Sequence, residues 1–267
     1  MMTNSTGLRW FQGKKYMSYI RGGDYTHPGE EKAIAEVLSP FPKDSQRLIL
    51  DVACGLGGTA NFIQKNGWGK VIGFDIEPAS IEYAKRTYPE IEFHVSDVVD
   101  IANIFPNKKF DMICIFSSFL VFNDQKTALE KLNAIAKEDA QLVIFDYIDL
   151  MPINTNPLIK KEPKNAAFLP LRLDDINTML EETGWKSAQL KRMDNKFEGW
   201  YSDLLERIKN IKNEFIKMHG EMEYNKVLNR YTSFYEAFAF RTLGGCALYA
   251  QNAFNLEPQN QPIRCRL

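Results

Sequence analysis

The sequence has few of the residues that build metal sites and disulfide frameworks. It contains three histidines and four cysteines in 267 residues. The cysteines lack C-x-x-C or paired-histidine spacing, so we expect reduced thiols and no bound metal. They are Cys54, Cys114, Cys246 and Cys265.

An excess of one charge and long apolar runs are also missing. Lysine and arginine number 33 against 34 acidic residues, which argues against a basic nucleic-acid surface. The longest apolar runs, such as Met112 to Phe116, are too short to span a bilayer, and the N-terminus has no apolar signal segment. We therefore expect a cytoplasmic protein without nucleic-acid or membrane partners. The sequence indicates no oligomeric state.

Apolar strand-like segments alternate with helical segments in the first half of the chain. Helices are predicted over 29–38, 58–66, 78–87 and 124–137. Strands are predicted over 47–52, 70–75, 91–95, 110–116 and 141–147. This alternation is typical of a parallel sheet with helices on both faces.

The second half adds two strands and a long helical insertion. After an irregular segment at 151–170, we predict a helix at 174–183, strands at 185–193 and 243–251, and long helices within 198–240. The fold class is therefore α/β, with a Rossmann-like, seven-stranded, mostly parallel sheet and a helical cap before the last strand. The insertion has two alternative interpretations, an extension of the core or a dimer contact. The predicted parts are a lid segment (1–28), a core (29–193 and 243–257), the cap (194–242) and a tail (258–267).

A glycine-rich turn follows the first predicted strand in residues 48–60, L-I-L-D-V-A-C-G-L-G-G-T-A. Such turns bind nucleotides at the N-terminus of the next helix. Asp51, at the strand end, would repel a pyrophosphate but suits a ligand with a positive amino group and a sulfonium. This charge pattern favours S-adenosylmethionine over NAD.

Two further acids follow the next two predicted strands. Asp75 can accept both ribose hydroxyls, as the acid of a dinucleotide fold does. Asp97 can accept from an adenine amino group, with the backbone N–H of Val98 beside it and Ile76 packed on the ring. Three acids at three successive strand ends together predict a site for S-adenosylmethionine.

The motifs of residues 47–150 resemble the class I S-adenosylmethionine-dependent methyltransferases. The matching segments are L-D-V-A-C-G-L-G-G-T-A, V-I-G-F-D-I-E-P-A-S-I-E-Y-A, S-D-V and F-D-M-I-C-I-F-S-S-F-L. The resemblance implies that Asp51, Ala53 and Gly55 surround the methionine end of the cofactor. It also implies that the backbone at Phe116 binds the amino group. Ala53 departs from the glycine of many members, a change that costs little unless the position needs a positive φ.

The N-terminal stretch Y-I-R-G-G-D-Y-T-H-P-G-E-E is similar to the lead-in of amine methyltransferases such as the sarcosine/dimethylglycine and phosphoethanolamine enzymes. The similarity implies that Tyr25, Thr26 and Tyr16 close over the cofactor carboxylate; an ordinary helix-capping loop is the alternative. Val121 and Ser117 stand where the phosphoethanolamine enzymes have a histidine and an acid. A phosphobase specificity is therefore not carried over.

The predicted activity is methyl transfer to a small-molecule acceptor, an amine in our interpretation. An O- or C-methyltransferase and a non-catalytic cofactor-binding protein are the alternatives. His27, beside the predicted lid, and Tyr147, after the fifth strand, are the catalytic candidates, and a structural role is open for both. The candidate substrate contacts, for which core packing or surface charge is the alternative, are Phe168, Arg172, Trp200, Tyr201, Phe234, Phe238 and Arg241.

Overall fold

The computed structural model describes residues 10–153, 155–161 and 168–252, which contain one seven-stranded sheet. The strand order is β3-β2-β1-β4-β5-β7-β6, and β7 runs antiparallel to both of its neighbours. The strands are β1 (Leu48–Val52), β2 (Lys70–Asp75), β3 (Glu92–Val95), β4 (Phe110–Phe116), β5 (Ala136–Asp149), β6 (Trp185–Arg192) and β7 (Leu243–Asn252). The predicted sheet is confirmed.

Helices surround this sheet and occupy most of the chain between β6 and β7. Two short 3-10 turns follow β3 and β4. The helices are α1 (Phe11–Arg21), α2 (Glu30–Leu38), α3 (Gly58–Lys65), α4 (Pro78–Thr87), α5 (Ile101–Ile104), α6 (Gln125–Ala134), α7 (Pro157–Lys161), α8 (Ile176–Glu182), α9 (Asp194–Asn210), α10 (Lys212–His219) and α11 (Glu221–Ala239).

Both faces of the sheet are buried. Alternate residues of a strand point to opposite faces, so a strand such as β1 contributes side chains to two hydrophobic cores. In β1, Ile49 belongs to one hydrophobic core, whereas Leu50 and Val52 belong to the other. The first core includes residues of α1 to α4 and of α9 to α11, and the second includes residues of α5, α6 and α8. Helices on both faces are thus confirmed, and the strands need no polar alternation.

The boundary between α6 and β5 differs from the sequence-based expectation. The predicted helix 124–137 ends at Ala134, and β5 already begins at Ala136, which pairs with Phe110. The segment A-K-E-D-A has good helix formers, so propensity favours continuing the helix. Pairing with β4 overrides this propensity, and an irregularity in the register absorbs the extra residues.

The N-terminal segment contains a helix that the sequence pattern did not predict. In α1, Met17 and Ile20 are almost fully buried, so this helix is part of the first core. The whole predicted tail, residues 253–257 of the predicted core and the first nine residues of the predicted lid lie outside the described residues. Helices α9 to α11 occupy the predicted insertion, whose function as a cap stays a prediction. In the described part of the chain, no helix is long and apolar enough to cross a membrane.

Candidate functional site

The turn after β1 has a backbone that only small residues tolerate. Ala53, Gly55 and Gly57 have φ values of 55°, 55° and 88°, in the left-handed region. A Cβ on Gly58 would lie 2.4 Å from the carbonyl oxygen of Asp24. Ala53 therefore does need a positive φ, which costs an L-residue about 1–2 kcal/mol. Such strain persists where surrounding contacts enforce it, and it concentrates at functional sites.

Asp51 is a buried carboxyl group at the end of β1. Its residue is 1 % exposed, and its Oδ2 atom has no hydrogen-bond partner among the described residues. Burial, followed by the negative charge of Asp75, raises its pKa to about 8, although the backbone N–H of Ala60 opposes this. An unpaired buried carboxylate is costly, so this position favours a cationic or hydrogen-donating partner.

Asp75, at the end of β2, is held by backbone and by a lysine. Its carboxylate accepts from the backbone N–H of Gly55 and of Glu77, both at 2.9 Å. The Lys14 ammonium on α1 lies 3.2 and 3.1 Å from its two oxygens. The same ammonium contacts Glu77 and Ser80, each at 3.1 Å. Helix α1 therefore covers this carboxylate with a buried cation.

The residues predicted to contact adenine lie on the same edge of the sheet. Ile76, directly after β2, is 56 % exposed although it is apolar. Asp97 caps the 3-10 turn after β3 by accepting from the N–H of Val99, and Val98 is buried. An exposed isoleucine beside a half-buried acid provides one apolar face and one acceptor, which suits a flat polar ring.

The end of β4 presents a second strained residue. Phe116 is buried, and Ser117 after it has a φ of 51°. The backbone N–H of Ser117 donates to the carbonyl of Phe145 at 2.7 Å. Its hydroxyl is buried without a partner among the described residues. Asp51 Oδ2 and Ser117 Oγ are thus two unpaired polar atoms at the ends of neighbouring strands.

The predicted lid residues have unequal environments. The Tyr25 hydroxyl donates to Glu31 at 2.9 Å, and Thr26 is exposed. Tyr16 packs on α10, with its ring centroid 5.2 Å from that of Phe215 and 4.7 Å from that of His219. The structure therefore connects Tyr16 with the helical insertion.

His27 is buried, and the protein engages both of its ring nitrogens. Nδ1 lies 3.2 Å from the carbonyl of Pro28, so it donates there, and Nε2 accepts from the Thr59 hydroxyl at 3.1 Å. Burial lowers its pKa to about 4, and the charge of Arg21 adds to this. The imidazole is therefore neutral at physiological pH, with its lone pair already used.

Aromatic rings connect the strand ends with the helical insertion. The ring of Phe116 lies 5.2 Å from His27 and 5.7 Å from Phe145. Further along this series of packed rings, the hydroxyls of Tyr147 and Tyr201 are hydrogen-bonded to each other. Burial raises the pKa of both tyrosines. The aromatic cluster consists of Phe145, Tyr147, Phe197, Trp200, Tyr201, Tyr231, Phe234 and Phe238.

The predicted substrate contacts divide into two groups. Trp200 belongs to the aromatic cluster, and Phe168 packs on its Phe234 with 5.9 Å between ring centroids. Arg172 instead pairs with Asp149, and the exposed Arg241 pairs with Glu198. The structure therefore brings the aromatic candidates together but does not bring these two arginines into the aromatic cluster.

The sequence analysis missed three residues that the structure makes prominent. Lys14 lies on Asp75, Arg21 is buried with two unpaired N–H groups, and Ser117 follows β4 with an unpaired hydroxyl. Lysine and arginine usually lie on the surface, so their burial has no local signal. Within the described residues, no group of three or more histidine, cysteine, aspartate or glutamate side chains is arranged to hold a metal ion.

A domain family and several known proteins are similar to this chain. A model of a methyltransferase domain family matches residues 49–139. A putative methyltransferase 235L of Invertebrate iridescent virus 6 is 31 % identical over 159 residues, 57 % of this chain and 56 % of the viral protein. The phosphoethanolamine N-methyltransferase of Plasmodium falciparum is 22 % identical over 222 residues, covering 80 % of this chain and 81 % of that protein. The chain thus spans only about half the length of the viral relative.

Solved structures agree with the family match. Phosphoethanolamine N-methyltransferase 2 of Haemonchus contortus, in complex with S-adenosyl-L-methionine, has a TM-score of 0.78 at 16 % identity, over 94 % of this chain and 61 % of that one. A putative sarcosine dimethylglycine methyltransferase from Galdieria sulphuraria has a TM-score of 0.77 at 14 % identity, over 91 % and 98 %.

The sheet order, the turn after β1 and the acids at the strand ends define the class of the protein. Residues 49–139 match the methyltransferase domain family, and the chain has the fold of the class I S-adenosylmethionine-dependent methyltransferases, as the motifs in 47–150 predicted. S-adenosylmethionine is the cofactor that this domain match supports.

Proposed function

We propose that the chain transfers the methyl group of S-adenosylmethionine to a small-molecule amine bound in the aromatic cluster. The observation that carries this proposal is the buried chain of rings that runs from Phe116, at the strand ends, to Tyr147 and Tyr201. The relative in P. falciparum, whose name specifies N-methylation of a small amine, supports nitrogen as the methylated atom.

The residues at the strand ends fit the cofactor chemically. Asp51 and Ser117 offer unpaired oxygens to its amino group, and the small residues of the turn allow close approach. Asp75 is the proposed ribose ligand. Ile76, Asp97 and Val98 are the proposed adenine contacts, and Ala53, Gly55 and Phe116 are proposed to surround the methionine end. Tyr25, Thr26 and Tyr16 remain proposed lid residues.

S-adenosylmethionine, when bound, supplies an electrophilic methyl group on a sulfonium. The protein then has to align the nucleophile and exclude water, and orientation of this kind can contribute about 7–11 kcal/mol. A buried aromatic environment favours the neutral form of an amine, which is the nucleophilic form. The hydroxyls of Tyr147 and Tyr201 can orient the nitrogen by hydrogen bonds. His27 then acts by positioning the lid against Thr59, since its lone pair is engaged.

The test begins with calorimetric titration of the protein with S-adenosylmethionine and, separately, with NADH. Matched amines, alcohols and phenols are then incubated with protein and cofactor, and the methylated product is located by mass spectrometry. Methylation on nitrogen supports the proposal, and methylation on oxygen or carbon corrects the acceptor atom. Cofactor binding without turnover over the whole panel would identify a binding protein, and binding of NADH alone would refute the cofactor site.

The lysine on Asp75 gives a separate prediction. If Asp75 binds the ribose hydroxyls, the Lys14 ammonium has to leave it first, because the ammonium contacts both carboxylate oxygens. Lys14→Met is therefore expected to increase the affinity for S-adenosylhomocysteine about tenfold, which corresponds to 1.4 kcal/mol. It is also expected to lower the Tm of the free protein, since Asp75 and Glu77 lose their counter-ion.

Lys15→Met is the matched control, because Lys15 lies over the Tyr83 ring at 4.0 Å. Calorimetric titration of both variants measures their affinity for S-adenosylhomocysteine, and thermal unfolding measures their Tm. Weaker binding by Lys14→Met alone would mean that Lys14 is a cofactor ligand and not a competitor.

A further inference from the structure

Asp146 is a fully buried acid among apolar side chains. It lies on β5, where its neighbours on the same face, Ile144 and Ile148, belong to the second hydrophobic core. The residue paired with it on β7 is Cys246, which belongs to the same core. Burying a carboxylate is costly unless hydrogen bonds compensate for the lost water. The position of Asp146 therefore requires specific hydrogen-bond donors.

Backbone N–H groups on two segments donate to this carboxylate. Its Oδ1 atom accepts from the N–H of Tyr147 at 2.8 Å, and its Oδ2 atom accepts from the N–H of Leu120 at 3.2 Å. Burial raises the pKa of Asp146 to about 7, and backbone N–H groups, among them that of Phe119, oppose this rise. Phe119 and Leu120 belong to the 3-10 turn that follows β4. One side chain of β5 thus binds the turn that follows the neighbouring strand.

The carbonyl groups of the same turn are bound as well. The carbonyl of Leu120 accepts from the N–H of Leu169 at 2.7 Å. The side-chain amide of Gln125 donates to the carbonyls of Phe119 and Leu169, at 3.0 and 2.8 Å. The N–H groups of the turn are therefore bound by Asp146, whereas its carbonyl groups are bound by two other segments, so the orientation of the turn is fixed.

Ser117 needs this support, because its backbone is strained. It has a φ of 51° and lies between β4 and the 3-10 turn. Such a conformation persists only where surrounding contacts enforce it. The N–H of Ser117 donates to the carbonyl of Phe145, the residue before Asp146. Two successive residues of β5 thus hold Ser117 and the turn after it, while the Ser117 hydroxyl stays unpaired among the described residues.

We propose that Asp146 is a positioning residue for methyl transfer, whose carboxylate fixes the turn after β4 so that Ser117 and the backbone at Phe116 hold the amino acid end of S-adenosylmethionine. This inference rests on the proposed function, in which both residues contact that end of the cofactor. Asp146 itself touches neither cofactor nor acceptor. Because its other oxygen binds the N–H of Tyr147, the same carboxylate also fixes the residue that we place beside the acceptor.

The first experiment compares two ligands by calorimetric titration. 5′-Methylthioadenosine has the adenine, ribose and sulfur of S-adenosylhomocysteine but lacks its amino acid end. Asp146→Asn should lower the affinity for S-adenosylhomocysteine about tenfold, because the amide has one acceptor oxygen where the carboxylate has two. The affinity for 5′-methylthioadenosine should stay unchanged. Only this selective loss supports the proposal; an equal loss for both ligands, or no loss for S-adenosylhomocysteine, refutes it.

Asp149→Asn is the matched control on the same strand. The Asp149 side chain is 5 % exposed and, like that of Asp146, accepts from a backbone N–H, that of Met151 at 3.1 Å. It also accepts from the Asn156 amide, so it holds the segment after β5 and not the turn after β4. Asp149→Asn should therefore keep the wild-type affinity for both ligands. A selective loss in this control as well would show that the effect does not come from the turn.

A double-mutant cycle with Ser117 tests whether the two residues act on one contact. Ser117→Ala should weaken the binding of S-adenosylhomocysteine in the wild type. It should have a smaller effect in the Asp146→Asn background, because the turn no longer holds the position of residue 117 there. Losses that add in full would show that Asp146 acts independently of Ser117, which contradicts the proposal.

Hydrogen exchange of the wild type tests the proposal without any variant, so the result does not depend on whether Asp146→Asn folds. The N–H of Leu120 should exchange slowly in the free protein, and saturating S-adenosylhomocysteine should slow it further than 5′-methylthioadenosine does. Exchange as fast as in an unstructured peptide, or equal slowing by both ligands, overturns the proposal. Failure of the wild type to bind either ligand would instead contradict the proposed function, whereas binding of both with no selective effect of Asp146→Asn overturns only the role of Asp146.

Discussion

Asp51→Asn is expected to stabilise the ligand-free protein at pH 8 and to weaken binding of S-adenosylmethionine at least tenfold. Both effects arise because Asp51 is a buried acid with an unpaired oxygen. The amide has no charge to desolvate, so the folded state of the variant is more stable than that of the wild type at pH 8. The same amide cannot form an ion pair with the cationic cofactor, so the affinity for S-adenosylmethionine falls.

The pH dependence of stability gives the sign of the first effect. Burial, and then the charge of Asp75, raises the Asp51 pKa from 3.8 to about 8. Between these values the folded protein keeps a proton that the unfolded chain has lost, so the free energy of unfolding falls as the pH rises. The full rise corresponds to on the order of 5 kcal/mol. In a chain of this size each kcal/mol shifts the Tm by about 2–4 °C.

Thermal unfolding from pH 4 to 8 checks this prediction. Asp51→Asn should reduce the fall of the Tm with rising pH but not abolish it, because burial also raises the pKa of Asp146 to about 7. Asp97→Asn is the matched control, since Asp97 is only half-buried and its cap to Val99 survives in the amide. Equal pH slopes in wild type and Asp51→Asn would show that Asp51 is ionised at neutral pH.

Asp75→Asn is expected to lower the affinity for S-adenosylhomocysteine by about 10- to 100-fold. Hydrogen bonds to charged groups contribute about 1.5–3 kcal/mol each, and removing the charge weakens those to the ribose hydroxyls. The amide oxygen still accepts one of the two backbone N–H groups, from Gly55 or Glu77, so the turn can keep its conformation. Asp75→Ala leaves both backbone N–H groups without an acceptor, so it should lower the affinity for S-adenosylhomocysteine further.

Glu77→Gln separates the role of Asp75 from the general charge of this region. Glu77 contacts the same Lys14 ammonium, yet we propose no cofactor contact for it. Calorimetry should show a much smaller change for Glu77→Gln. Unchanged affinity in Asp75→Asn, with wild-type circular dichroism, would remove Asp75 as the ribose ligand.

The sheet and the cofactor could be predicted because their signals are local. A parallel strand buried on both faces is a short apolar run, as in M-I-C-I-F, and a left-handed turn requires small residues. Asp51, Asp75 and Asp97 end or follow successive strands, and parallel strands bring their carboxyl ends to one edge. The predicted end of α6 was wrong, because pairing with β4 overrides the helix propensity of residues 136–140.

The acceptor side could not be predicted in the same way. Phe145 and Tyr147 lie on β5, whereas Tyr201 and Phe234 come from helices 54 residues or more further along the chain. Nothing in the local pattern distinguishes buried Arg21 from exposed Arg241, since burial depends on which helices pack together. The sequence suggested Arg172 and Arg241, which the structure pairs with Asp149 and Glu198.

The sequence by itself determined the class of this protein, because residue type and spacing define the glycine-rich turn and the acids at the strand ends. Only the tertiary structure decided which charges are buried. Packing of α1 in the first hydrophobic core brings Lys14 onto Asp75 and buries Arg21. Desolvation is a property of the assembled surroundings, so it raises the Asp51 pKa only once the chain has folded.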